Sequence, residues 1–140
     1  MEIKIFDVER GFCALVVADS KHAALIDCGS HISRGFRPSD YLINKNFSGI
    51  EQLIFSVYND ESLADLPNLL GSHFQSRFPT KFLIKNPAIN AKSAPELAVR
   101  SNGIKGRLNL LSALSNNYTE KVGYHGFGGI NFAFFCNKYP

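Results

Sequence analysis

Residues 53–70 read LIFSVYNDESLADLPNLL. With the preceding IEQ, residues 50–57 form a fourth apolar strand, IEQLIFSV, which runs into a polar turn. A short helix is expected after it. Ser62 is the candidate N-cap, and Asp65 three residues on gives an acidic version of a capping box. Leu63, Leu66 and Leu70 recur at helical spacing, and Pro67 is tolerable if it lies within the first turn or so, and otherwise kinks the helix. A turn at the C-terminal end of a strand is where α/β proteins often keep their chemistry.

Upstream, EIKIFDV (residues 2–8) alternates as a strand, with Ile3, Ile5 and Val8 expected inward. FCALVVAD (12–19) reads as a buried strand and HAALIDCG (22–29) as a third. The connections are short enough for hairpins, so the chain is expected to open as an antiparallel meander. A helix is expected over RPSDYLINKNF (37–47), entered through Pro38 and Ser39, with Tyr41 and Leu42 facing inward. Downstream come a fifth strand, TKFLIK (80–85), a turn-rich stretch (86–96), a helix over 104–118, a Gly-rich turn at GYHGFGG (123–129) and a closing strand from 130. The order β-β-β-α-β-α-β-α-β defines an α/β (α+β) protein with a mixed sheet flanked by helices, in a single domain over residues 1–140.

The 140 residues are 45% hydrophobic and 19% charged, enough for a real core. No apolar run approaches the ~20 residues of a membrane span. The acid-bearing start, MEIKIFDVERGF, has no signal-peptide architecture, so a cytoplasmic protein is the default expectation. The three cysteines, Cys13, Cys28 and Cys136, sit in apolar, strand-like surroundings and are expected as buried thiols. Charge is divided along the chain: residues 1–70 hold six Lys/Arg against ten Asp/Glu, residues 71–140 nine against two. The bases of the second half are scattered, which favours a solvated surface or a face meeting an acidic protein over nucleic-acid binding.

In this order the pieces resemble the N-terminal half of the metallo-β-lactamase fold, and most of all its competence-protein-like hydrolases. The likeness rests on FDVERGFCALVV, on LIDCG, and on residues 53–70, which stand where that family carries His-x-His-x-Asp-His followed by a helix with Leu-Pro. The resemblance implies half of an αββα sandwich. It also implies a lost metal site, because Val57 takes the first His position, Asn59 the second, Glu61 the Asp position and Ser62 the last His. Val57 cannot ligate, and Asn59 and Ser62 are weak neutral ligands. Asp60 and Glu61 could at most hold a weakly bound divalent metal of the Mg²⁺ or Ca²⁺ kind. The family's second half is missing beyond Pro140, so a protein partner or a homo-oligomer is expected to cover a sheet face rich in Phe and Leu. Twelve phenylalanines fit that need.

Other constellations have ordinary structural explanations. Asp27, Cys28 and His31, with His22 nearby, place possible ligands close together, but a strand-end acid also organises turns by accepting backbone N–H bonds. A Cys–His nucleophilic pair has no support from spacing. Residues 126–129, GFGG, precede a strand and lack a following Lys-Ser/Thr, which suits a hairpin turn better than a phosphate loop. Asp60, Glu61 and Asp65 read first as helix-terminal acids.

Two functions follow. The first is a non-catalytic binding or regulatory module acting through a protein partner, of the sort the resemblance places in bacterial multi-gene, defence-like systems. The second is a divergent or split metal-dependent hydrolase of the phosphodiesterase or esterase type, with Asp27, His31, Asp60 and Glu61 as surviving ligands and a second chain supplying the rest. A plain small α/β domain with an accidental likeness is the third possibility.

Overall fold

The computed structural model describes residues 1–19 and 23–85 in full, and the backbone of residues 119–120, 124–127 and 130–133. Strands β1 (Glu2–Ile5), β2 (Ala14–Val17) and β3 (Ala23–Ile26) form the expected antiparallel meander. Helix α1 (Pro38–Asn44) crosses to β4 (Ile50–Ile54), which lies parallel to β3. Helices α2 (Leu66–Leu69) and α3 (Ser72–Arg77) then lead to β5 (Thr80–Ile84), parallel to β4. A two-residue strand β6 (Thr119–Glu120) adds to β5, so the mixed sheet follows sequence order β1-β2-β3-β4-β5-β6. Strands β7 (Tyr124–Phe127) and β8 (Ile130–Ala133) pair separately and antiparallel.

The alternation of side chains fixes what each sheet face buries. On one face Leu15, Leu25, Leu53 and Leu83 stand side by side in a single row across β2–β5. All four are buried, and they belong to one core with Leu42 of α1, Leu66 and Leu69 of α2, and Phe74 of α3. Each such side chain contributes about 1.5–3 kcal/mol of burial. The opposite face carries two other rows, Ile3–Val16–Ala24–Gln52–Phe82 and Ile5–Ala14–Ile26–Ile54–Ile84. Val16, Ala24, Ile54 and Ile84 of these rows are buried together.

Several expectations change at the residue level. Ile3 and Ile5 do not face inward: they are 58% and 71% exposed, and the side chains that pack against the core from this segment are Phe6 and Val8. The leucine-rich face is covered by the chain's own helices, and Ile3 and Ile5 are exposed at the β1 end of the second face. Residues 60–65 form turns, not helix, and α2 begins only at Leu66, with Pro67 in its first turn where a missing N–H costs nothing. Helix α3 had no strong sequence signal. It is held by Phe74, which stacks on Phe78 at a centroid distance of 5.2 Å, both rings buried. Tyr124–Phe127, read as part of a Gly-rich turn, is a strand. The expected helix over 104–118, His22 and Cys136 lie outside the described residues. No helix among the described residues is long and apolar enough to cross a membrane.

Candidate functional site

The C-terminal ends of β3 and β4 bring residues 27–31 against residues 55–65. Asp27 is fully buried and adopts a left-handed backbone, φ 53°, which Asp tolerates better than most residues. Its Oδ1 accepts the Ser56 N–H at 2.8 Å and the Val57 N–H at 3.4 Å, and its Oδ2 accepts the Ser56 hydroxyl. Burial pushes the carboxyl's pKa up, against the pull of these donors. The strand-end acid therefore organises a turn, as one sequence reading held, but the turn belongs to the neighbouring strand.

The positions of the resembled metal motif are occupied in a similar way. Val57 is 43% exposed and offers no ligand atom. Ser62 caps no helix, and it is Asn59 that organises the turn there: its Oδ1 accepts the Ser62 N–H at 2.7 Å, and its carbonyl accepts the Leu63 N–H at 3.1 Å. Ser62 is buried, and its carbonyl accepts the Cys28 N–H at 2.8 Å. Asp65 caps a different helix from the one it precedes. Its Oδ2 accepts the Ser39 N–H in the first turn of α1 at 2.8 Å, and its Oδ1 accepts the Asn68 side-chain amide at 2.7 Å. Burial raises its pKa too. Gly11 and Gly29 let the loops close on one another. A Cβ at Gly11, where φ is +85°, would lie 2.6 Å from the Glu61 carbonyl carbon and the Ser62 nitrogen; one at Gly29 would lie 2.8 Å from the Phe12 carbonyl oxygen.

A cleft of about 200 Å³ remains beside this cradle, lined by Glu9, Arg10, Ser30, Ile32, Asp60, Glu61 and Ala64. Ser30 Oγ is buried and makes no hydrogen bond. Near the cleft, His31 Nδ1 lies 3.3 Å from Glu9 Oε1 and 3.2 Å from Ser33 Oγ, and the Ser33 hydroxyl donates to Glu9. That hydrogen bond lowers the Glu9 pKa. A Ser–His–acid relay needs the nucleophile and the acid on opposite ring nitrogens. Here both meet Nδ1, so the cluster is a pin for the 31–36 loop, whose backbone also pairs His31 with Phe36.

The four candidate ligands are thus parted. Asp27 turns to Ser56, His31 to Glu9, and only Asp60 and Glu61 share the cleft. Among the described residues no group of three His, Cys, Asp or Glu converges as a metal would require. Cys13 and Cys28 are buried, and desolvation pushes the Cys13 thiol up to about 12 and Cys28 well above its ordinary value. Burial thus disfavours the thiolate, the nucleophilic form, at both positions. Ser56, Glu9 and Ser33 were missed from sequence: their roles come from contacts 24 to 29 residues away. No family model matches the chain, and neither a curated protein nor a solved structure matches it.

Proposed function

We propose that this chain is a non-catalytic binding module, acting through a protein partner, in which a strand-end site has become a structural cradle. One observation carries the reading. The side chains at the positions where chemistry would be done are committed to backbone hydrogen bonds (Asp27, Asn59, Asp65), buried as thiols (Cys13, Cys28) or unable to coordinate (Val57). Such a cradle stiffens the loops and leaves the surface to act. Metal content by plasma mass spectrometry, on untagged protein purified without chelator, tests it. Trace zinc, manganese and iron are the expected result; near-stoichiometric metal defeats the reading.

A second reading has one observation in its favour, the unpartnered Ser30 Oγ in a cleft rimmed by Glu9, Asp60 and Glu61. Oxygen donors of this kind suit a hard divalent cation such as Mg²⁺ or Ca²⁺. It requires saturable heat of binding on titration with either ion, lost in Glu61→Ala, and accompanying phosphodiesterase or esterase activity.

A further inference from the structure

Strand β1 lies at the edge of the sheet. Phe6 donates its N–H to the Cys13 carbonyl at 3.0 Å, so by antiparallel alternation the even residues of this strand turn their amides toward β2. The odd residues, Ile3 and Ile5, turn theirs to the open edge. Their side chains are exposed, as is that of Met1 just before the strand. An open row of amides beside exposed isoleucines is a template for strand addition.

The residue pattern selects the strand to be added. We propose that β1 pairs antiparallel with β1 of a second copy of this chain, about a two-fold axis at Ile3. In this register Ile3 faces Ile3, Met1 of each copy faces Ile5 of the other, and Glu2 of each faces Lys4 of the other. Residues with outward amides meet residues with outward amides, which the hydrogen-bond pattern demands. The neighbouring registers fail: centring on Lys4 opposes two lysines, and centring on Ile5 sets Ile3 against Asp7. Within one copy Lys4 is already ordered, 3.3 Å from Glu2 and 3.2 Å from the Tyr41 hydroxyl, so pairing freezes little side-chain freedom. The interface is isologous and closes at two copies, joining the apolar rows of Ile3 and Ile5 across the axis. This deepens the proposed binding role and rests on it for its meaning in function, but metal content does not bear on it.

Sedimentation equilibrium of the full chain, from about 1 to about 500 μM at low salt, tests the pairing. The wild type should pass from monomer to dimer. Ile3→Lys, which sets two like charges on the axis, should weaken association about tenfold or more. Glu2→Lys and Lys4→Glu should each weaken self-association to a similar degree, and an equimolar mixture of these two variants should dimerise again, because their charges are complementary only across copies. Circular dichroism confirms that each variant is folded. A wild type that stays monomeric throughout, a dimer indifferent to Ile3→Lys, or a mixture of folded variants that fails to associate would each overturn the proposal.

Discussion

The turn cradle and the β1 edge present opposite economies of polar groups. In the cradle, Asp27, Asn59 and Asp65 direct their side-chain oxygens to N–H donors inside the fold, and two glycines permit backbone contacts too close for any side chain. At the edge, Ile3 and Ile5 keep exposed side chains on amides turned outward. A charged residue at a strand end attracts attention as chemistry, yet here it is spent on shape. The two isoleucines, which a sequence pattern assigns to the core, are exposed at the sheet edge, where the proposed pairing would use them. Perturbing the two regions should therefore have different consequences: loss of stability from the first, loss of association from the second.

The largest effect is expected at Gly11. An alanine there meets the backbone of Glu61 and Ser62, which no rotamer change can relieve, at a φ that L-residues avoid. Gly11→Ala should cost about 3 kcal/mol or more in urea unfolding. A cost below 1 kcal/mol would mean that the loops are not locked together.

Asp27 comes next, and its two substitutions should diverge. Asp27→Ala takes the carboxylate acceptor from the Ser56 N–H and hydroxyl and places alanine in a left-handed conformation, for about 2–3 kcal/mol. Asp27→Asn keeps the N–H contacts, and its amide can donate to the Ser56 hydroxyl, which both accepts and donates. It should stay within about 1 kcal/mol of wild type. The same pair separates electrostatics from geometry. Because burial raises the folded carboxyl above its ordinary value, the native state binds more protons in that window, and stability falls as pH rises through it. Wild type should therefore lose stability relative to Asp27→Asn as pH climbs from below the ordinary aspartate value toward neutrality. A difference independent of pH would show that ionisation of Asp27 does not enter.

How much of this was legible in the sequence depends on how local the cause is. The meander, α1 with Pro38 at its entry, and β4 and β5 followed from alternation and turn chemistry that act over a few residues. Leu63, Leu66 and Leu70 recur at helical spacing and all three are buried, but only Leu66 lies in α2. The partners of Asp27 and Asp65 did not, since Ser56 and Ser39 are distant along the chain and meet them only through sheet order and the α1 crossover. Ile3 and Ile5 misled because alternation separates two faces without saying which is covered. The face that carries the leucine row is the one that α1, α2 and α3 cover.

The smallest effects offer the finest discrimination, between adjacent residues of one turn. Ser56→Ala removes the hydroxyl that Asp27 Oδ2 accepts but leaves the backbone N–H contact, so about 1 kcal/mol should be lost. Val57→Ala removes a side chain that is nearly half exposed, and its backbone N–H, the part that approaches Asp27, is untouched. Its cost should stay within about 0.5 kcal/mol. Parallel urea titrations of the two variants measure the contrast. Equal costs would mean that side-chain packing, not the carboxylate, holds the turn; Ser56→Ala alone being costly would tie the shape of the loop to a carboxylate that lies 29 residues away in sequence and reaches it only through the pairing of β3 with β4.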